Sequence, residues 1–284
     1  MGQVSETTQV TVETILPLRR LFLMHPICPM IGVGSCLRYA CMSRIGRYFI
    51  FLKSLFSNRE KLSVYLKLIL AECNSIGVGS VFIVALVASF IGAVTCVQTA
   101  YNLSNPFVPR NIIALIVRDS TILELAPTIT CIVLAGKVGS NIAGELGTMR
   151  ITEQIDALEV MGINSGSYLV LPKVIASILM FPLLVIMAGF LSILGGYIAG
   201  VLAGVISPEE YVSGLRYDYK PFGVAFALIK TTAFAFLVST ISSFQGYNVQ
   251  GGALEVGSAS TSAVTNSCIA IVAADFILTQ LLLT

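Results

Sequence analysis

The sequence predicts an all-α polytopic membrane protein with five transmembrane helices, an N-terminal amphipathic helix at the membrane surface and one short helix between two spans. First, 56% of the 284 residues are hydrophobic and 11% are charged, with a mean hydropathy of +0.88, whereas a soluble domain carries roughly 25% charged residues. Second, apolar stretches long enough to cross a ~30 Å hydrocarbon core recur along the chain. The net charge of +2 gives no reason to expect nucleic acid as a partner.

Five apolar stretches meet the length of roughly 20 residues that a membrane-spanning helix needs. The clearest is 76–100, which contains no charged residue. The stretch 168–206 is too long for one upright helix and leaves no loop for two, so we expect one long, tilted helix in it. The predicted spans are residues 76–100, 112–135, 172–203, 221–243 and 264–284.

The distribution of lysine and arginine predicts the orientation of the spans, because cytoplasmic loops carry an excess of both. One side holds nine such residues, which are Arg44, Arg47, Lys53, Arg59, Lys61, Lys67, Lys137, Arg150 and Lys173. The other side holds four, which are Arg110, Arg118, Arg216 and Lys220. We therefore expect 42–75 and 137–170 in the cytoplasm and the C-terminus on the opposite side.

Ahead of the first span, residues 42–75 contain a basic amphipathic pattern. Apolar residues recur at three- and four-residue steps within 45–56. The basic residues between them are Arg44, Arg47 and Lys53. This pattern favours a helix that lies in the cytoplasmic leaflet, and a soluble helix packed on the domain is the alternative. Residues 1–41 do not fit the rest, and we expect a separate tail, with Met42 as an alternative translation start.

The residues that usually carry covalent or metal chemistry are scarce. The single histidine, His25, lies in the N-terminal tail, so the spans contain no histidine-based triad or metal site. The seven cysteines show no C-x-x-C spacing and are typical of small apolar residues. Gly136-Lys137 resembles part of a phosphate-binding loop, but Cys131 and Val138 stand where that loop needs Gly and Ser or Thr. We expect no catalytic residue, no metal and no cofactor in this chain.

Charged residues inside the predicted spans are the main candidates for function. Glu124, Lys230 and Asp275 lie within apolar stretches, where an ionised group costs ~2.5–3.5 kcal/mol. Glu124 and Lys230 are the obvious pair, because each needs an opposite charge. The pair could register two helices or form the floor of a substrate cavity. Asp275 could accept hydrogen bonds from hydroxyls of a neighbouring helix, or be protonated.

The segment between the second and third spans predicts a short amphipathic helix. Thr152 is a candidate N-cap, and Glu153 and Asp156 follow it near the positive end of the helix dipole. Its apolar stripe is Ile151, Ile155 and Leu158. Gly162 can end the helix in the left-handed conformation. An acidic amphipathic helix of this kind suits docking into a groove of a soluble partner, and a solvated connector is the alternative.

Several ordered motifs together carry a family resemblance over residues 42–284. They are Phe90 to Gly92 with Gln98, Leu123 to Pro127, Gly139-Ser140, Glu145 to Arg150, Thr152 to Leu158, Leu228 to Lys230, Gly246-Tyr247, Gly257 to Val264 and Asp275-Phe276. This set resembles the signature of the MlaE/YrbE permease family. Members of that family are membrane subunits of ABC-type lipid transporters that work with MCE-domain proteins.

The resemblance implies a homodimer of five-span subunits in the bacterial inner membrane, with the C-terminus in the periplasm. It implies that phospholipid moves between the inner membrane and the periplasm or outer membrane, which maintains outer-membrane lipid asymmetry. The implied partners are a separate ATPase subunit, which binds ATP, and a membrane-anchored MCE-domain protein. The chain itself is then not an enzyme.

The resemblance also assigns roles to residues. The positions that match the lipid pocket are Thr95, Gln98, Asn102, Leu103 and Phe107, together with Glu124 and Lys230. The helix that couples to the ATPase matches 151–162. The residues assigned to coupling are Glu145, Arg150, Thr152, Glu153, Asp156, Leu158 and Met161. Leu123 stands where several members carry Arg, so no role of that arginine is transferred.

Two other classes of function stay open on the sequence alone. A secondary transporter or channel could use Glu124, Lys230 and Asp275 as an ion relay, although the chain shows no inverted repeat. A lipid-modifying membrane enzyme would need a cluster of catalytic residues at one membrane face, and the sequence offers none. Co-purification with a nucleotide-binding subunit distinguishes the permease from both.

Overall fold

The computed structural model describes residues 46–55, 62–103 and 109–283. All regular secondary structure in these ranges is helical, which confirms the predicted class. The helices in chain order are α1 (46–55), α2 (62–102), α3 (Asn111–Ile151), α4 (Gln154–Val160), α5 (Ser165–Leu202), α6 (Pro208–Arg216), α7 (Phe222–Tyr247) and α8 (Ala253–Leu283). The expectations for residues 1–41, Met42 and Phe107 fall outside the described ranges.

Five helices, α2, α3, α5, α7 and α8, are long and apolar enough to cross a membrane, in agreement with the five predicted spans. They extend beyond the apolar stretches that predicted them. Helix α3, for example, has 41 residues and a length of about 62 Å, about twice the hydrocarbon thickness. Hydropathy detects only the apolar part of each helix, whereas the polar ends continue the same helix.

Helix α1 lies in the region 42–75 for which the sequence predicts an amphipathic helix. Its Phe49 and Ile50 side chains are 64% and 70% exposed. Residues 62–102 form α2. The first spanning helix therefore begins before Ile76, where the apolar stretch begins. The placement of α1 at the membrane surface stays a prediction.

Helices α2 and α5 pack closely because glycine lies at their contact points. A Cβ atom on Gly92 would lie 1.7 Å from the carbonyl oxygen of Ser192, and one on Gly195 would lie 2.2 Å from that of Ser89. Both neighbours are backbone atoms, so no side chain could move aside. Small residues permit this approach in membrane proteins, where dispersion between close backbones holds helices together.

The helix connections alternate between two ends of the bundle. Helix α4 joins α3 to α5 at one end, the α4 end, and α6 joins α5 to α7 at the other, the α6 end. Helix α6 begins with a capping box in which Ser207 and Glu210 bond each other's backbone N–H groups. These bonds lower the pKa of Glu210. The sequence analysis missed α6, although Ser207-Pro208 followed by Glu210 is a recognisable helix start.

Candidate functional site

A buried ionic cluster joins α3, α7 and α8 within the spans. Lys230 Nζ lies 2.7 Å from Glu124 Oε2 and 2.5 Å from Asp275 Oδ1. The predicted pair of Glu124 and Lys230 is therefore confirmed, and Asp275 is a third member rather than a separate carboxylate. Thr279 Oγ1 lies 3.3 Å from the same ammonium. We call Glu124, Lys230 and Asp275 the membrane cluster.

A backbone carbonyl near Pro127 also contacts Lys230. Proline has no N–H, so the carbonyl of Leu123, four residues earlier, cannot accept the usual α-helical hydrogen bond from it. The surrounding segment Thr121–Ile129 is π-helical, and Lys230 Nζ lies 3.4 Å from the Leu123 oxygen. One short run of sequence thus supplies Lys230 with both a carboxylate and a backbone acceptor.

The membrane cluster has an uneven exposure. Lys230 has no exposed side-chain surface, whereas the side chains of Asp275 and Glu124 are 16% and 46% exposed. Thr128 Oγ1 lies 3.3 Å from an oxygen of each acid and connects them. With all three groups ionised the cluster carries one excess negative charge. Glu124 is therefore the most accessible member of the cluster in the single chain.

The other described residues that match the lipid pocket, Thr95, Gln98, Asn102 and Leu103, lie near the C-terminal end of α2. Thr95 is half-buried and donates a hydrogen bond to the Ile91 carbonyl. Gln98 and Asn102 are exposed, and their spacing of four places them on one face of the helix. Leu103 packs against the core at the α6 end. Among the described residues, none of these four hydrogen-bonds to the membrane cluster, so the structure presents two separate groups.

Helix α4 is the short helix expected between the second and third spans. It runs from Gln154 to Val160. Gly162 follows the helix with a φ of +80°, which confirms the predicted left-handed termination. Its start differs from the prediction, because Glu153 occupies the N-cap position with a φ of 59°. Thr152 instead caps the end of α3, and its hydroxyl donates to the Thr148 carbonyl.

Side chains fix α4 to three neighbouring helices. Ile155 is fully buried, and Leu158 is half-buried. Arg150 of α3 lies 2.5 Å from Asp156. Glu159 accepts hydrogen bonds from Ser165 of α5 and Tyr247 of α7, at 2.8 and 2.9 Å. The helix is therefore tied to α3, α5 and α7 together.

The outer face of α4 is open. Glu153 and Asp156 are exposed. Beyond them, Val160 and Met161 are 89% and 66% exposed. An apolar tip beside exposed carboxylates is typical of a helix that docks into a protein groove.

Lys173 forms a second buried ionic group, which the sequence analysis missed. This lysine of α5 lies 2.6 Å from Glu72 of α2 and 2.7 Å from Glu145 of α3. Its side chain is 3% exposed. Glu145, one of the residues matched to coupling, therefore joins three helices at the α4 end. A lysine in an otherwise apolar stretch requires such partners, but the sequence does not say which acids supply them.

Arg118 is a further polar contact that sequence reasoning missed. Its side chain is 4% exposed, and it bonds the Leu215 and Tyr217 carbonyls at 2.8 Å. It also reaches the Asp218 carbonyl at 3.3 Å. Asp218 has a φ of 45° and therefore a left-handed backbone. Arg118 thus holds the loop after α6 in a conformation that the loop alone would seldom adopt.

Five spanning helices, polar clusters within and at one end of the bundle, and a short helix with an exposed face are typical of a multi-pass transport protein. The model of the family described as Permease MlaE matches residues 69–281. The chain belongs to this permease family, as its motifs indicate.

Named relatives agree with the family. A "Probable ABC transporter permease protein" of Rickettsia bellii is 37% identical over 237 residues, which cover 84% of this chain and 91% of the relative. A protein of the same description from Synechocystis is 34% identical over 75% of this chain and 81% of its own length. "Protein TRIGALACTOSYLDIACYLGLYCEROL 1, chloroplastic" of Arabidopsis thaliana is 33% identical over 74% of this chain and 60% of its own length.

Proposed function

We propose that this permease is the membrane subunit of an ATP-driven transporter that moves phospholipid between the bacterial inner membrane and the periplasm or outer membrane. This transport would maintain the lipid asymmetry of the outer membrane. In this proposal a separate ATPase subunit binds and hydrolyses the ATP. The permease itself neither forms nor breaks a covalent bond. The observation that carries the proposal is α4, which exposes Glu153 and Met161 while Asp156 and Glu159 tie it to three helices.

The contacts of α4 give it a mechanical role in this proposal. A partner that seats the face of Glu153, Asp156 and Met161 pushes on a helix already bonded to its neighbours. Glu159 passes that displacement to α5 and α7 through Ser165 and Tyr247. Helix α7 also carries Lys230, so movement of α7 alters the membrane cluster without any change in covalent structure.

A homodimer is proposed from the surface of α8. This helix is the least buried of the five spans, and it exposes polar side chains along its length. They are Ser258, Ser262, Thr265, Asn266 and Gln280. Exposed amides are costly against hydrocarbon, and in membrane proteins such residues usually contact another helix. A second copy of α8 is the partner we propose.

The substrate and remaining partners rest on the family and on charge. The Arabidopsis relative is named for a galactolipid, which supports a lipid substrate here. In our proposal Thr95, Gln98, Asn102, Leu103 and Phe107 contact the lipid, with Glu124 and Lys230 deeper in the pocket. An MCE-domain protein in the periplasm takes or delivers the lipid. The excess of basic residues in 42–75 and 137–170 favours an orientation with the α4 end in the cytoplasm and the C-terminus in the periplasm.

One observation favours a second candidate, an ion-driven secondary transporter. Glu124, Thr128, Asp275 and Lys230 form a continuous polar network across three spans. Such a network can relay protons. This candidate gives no role to the exposed face of α4, which is why we place it second.

Reconstitution into proteoliposomes tests the proposal. The purified permease, alone and with its ATPase subunit, is mixed with a fluorescent phospholipid whose transfer between leaflets or to an acceptor protein is followed. We expect transfer only with the ATPase subunit and hydrolysable ATP. Transfer by the permease alone under an imposed proton gradient would support the ion relay and contradict the ATP-driven function.

A further inference from the structure

A polar cavity lies at the α4 end, apart from the membrane cluster. Its volume is about 920 Å³, and it lies between α2, α3 and α8. Its polar lining includes Ser75, Ser80, Lys137, Asn141, Thr148 and Ser260. Along α3, Lys137 is about 20 Å from Glu124. We call this the α4-end cavity.

Ser80 adds an unpartnered buried hydroxyl to the lining of the α4-end cavity. The residue is completely buried, and its hydroxyl has no hydrogen-bond partner within the described chain. Many hydroxyls in these helices donate to the carbonyl four residues earlier, as Ser140 does to Gly136 and Thr231 does to Ala227. Ser80 does not, and it shares this lack of a partner with a few other buried hydroxyls that do not line the cavity, such as Ser242 and Ser267. A buried polar group without a partner is unfavourable, so a ligand that accepts its hydrogen is favoured there.

Lys137 gives the α4-end cavity a positive charge. Its Nζ donates to the Gly79 carbonyl, and none of the ion pairs between described residues includes Lys137. An ammonium has three N–H donors, so two remain for a ligand. The one carboxylate in the lining, Glu145, is bound by Lys173 at 2.7 Å. Lys137 is exposed, so its charge is accessible to an anion that enters the cavity.

Two irregular helical turns meet at the α4-end cavity. The π-helical segments Asn74–Val78 of α2 and Ala135–Gly139 of α3 both contribute to its lining. The hydrogen bond from Lys137 to Gly79 links the two. Single π-helical turns are uncommon and occur often at functional sites. Here they turn Ser75 and Lys137 towards the same space.

We propose that the α4-end cavity binds a phosphate group, either in a phospholipid headgroup or as free phosphate. An ammonium flanked by hydroxyl and amide donors matches the oxygens of a phosphate. The cavity is larger than a phosphate ion needs, which leaves room for the glycerol of a lipid. The phospholipid form rests on the proposed function, since it gives the cargo a second binding place beside the ATPase-docking helix. Phosphate binding itself does not depend on that function.

Native mass spectrometry of the full-length protein, purified in detergent, tests this site. Phosphatidylglycerol is titrated against the wild type and against Lys137→Gln, Lys137→Arg and Ser80→Ala. We expect Lys137→Gln to weaken the tightest lipid about tenfold and Ser80→Ala about threefold. Lys137→Arg keeps the charge and should bind nearly as the wild type does. Lys220→Gln is the matched control, because it removes an exposed lysine at the α6 end.

Inorganic phosphate in a second titration distinguishes the two sources. Phosphate can displace lipid from the wild type and leave the lipid still bound to Lys137→Gln in place. In that case the cavity takes free phosphate as well. If phosphate has no effect while the Lys137 and Ser80 variants lose lipid, the headgroup is the ligand. Equal lipid affinity of the wild type, Lys137→Gln and Ser80→Ala would overturn the proposal. The readout is binding, so a failure of ATP-driven transport leaves it unaffected.

Discussion

At the residue scale, Lys230 is stable inside the bundle only while its charge is matched. Its side chain has no exposed surface, and its nearest partners are the carboxylates of Glu124 and Asp275. Removing one member of such a buried pair leaves an uncompensated charge, which typically costs ~3–5 kcal/mol. Glu124 is the less buried of the two acids, with a side chain that is 46% exposed in the single chain. If Glu124 is removed, Asp275 still pairs with Lys230.

We expect Lys230→Glu to destabilise the protein strongly, because it places three carboxylates together. Adding Glu124→Lys restores the original count of one ammonium and two carboxylates in the membrane cluster. The double variant should therefore recover part of the lost stability. Thermal unfolding in detergent, followed by the loss of monodisperse protein, measures both effects.

Lys220→Glu is the control for this charge exchange, because Lys220 is 79% exposed and its pair with Asp218 spans 3.8 Å. An exposed pair of this kind contributes little, so this variant should unfold close to the wild-type temperature. A double variant no more stable than Lys230→Glu alone would argue against the direct contact of residues 124 and 230.

At the element scale, α4 combines a fixed inner face with a free outer face. Ile155 and Glu159 hold it to the bundle, while Glu153 and Met161 are accessible. Substitutions on the outer face should therefore alter partner binding without altering the fold. Asp156 is intermediate, because it is half-exposed yet pairs with Arg150.

We expect the double variant Glu153→Ala and Asp156→Ala to bind the ATPase subunit about tenfold more weakly, a loss of ~1.4 kcal/mol. Surface plasmon resonance with the ATPase subunit measures this affinity. Glu209→Ala, an exposed acid at the α6 end, provides the control and should bind as the wild type does. Unchanged binding of the double variant would remove these two residues from the docking surface.

Some of these elements and contacts can be predicted from the sequence, and others cannot. The five spans, the left-handed end of α4 at Gly162 and the pairing of Glu124 with Lys230 follow from local pattern or from the cost of buried charge. The partners of Lys173 and Arg118 do not, because Glu72 lies 101 residues from Lys173 and Tyr217 lies 99 residues from Arg118. The sequence pattern favours Thr152 as the N-cap of α4. In the structure α3 continues to Ile151, so Thr152 caps the end of α3 and its hydroxyl donates to the Thr148 carbonyl.

At the scale of the whole molecule, the single chain leaves its last span largely uncovered. Only 17% of the most apolar part of α8 is buried, whereas 50% of the corresponding part of α7 is buried. The exposed residues Ser258, Ser262 and Asn266 follow one another at four-residue steps on one face. In a two-fold symmetric dimer, residues near the axis meet the same residues of the other copy. This geometry makes the α8 interface directly measurable.

We expect single cysteines placed along α8 from residue 258 to 280 to form disulfide-linked dimers under mild oxidation. The yield should peak every three or four residues, because only the face that meets the symmetry axis brings two identical positions together. Ser262→Cys should lie near a maximum. Gel electrophoresis without reductant, performed on native membranes, measures the linked fraction.

The control for this scan is Ile186→Cys, because Ile186 is 51% exposed on α5 yet lies outside the polar face of α8. Wild-type protein, which retains Cys268 on α8, gives the background. Equal yields at residues 262 and 186 would show that cross-linking reflects random collision. In that case a different surface must cover Asn266, and the homodimer through α8 would have to be abandoned, while the α4 docking surface would stand unchanged.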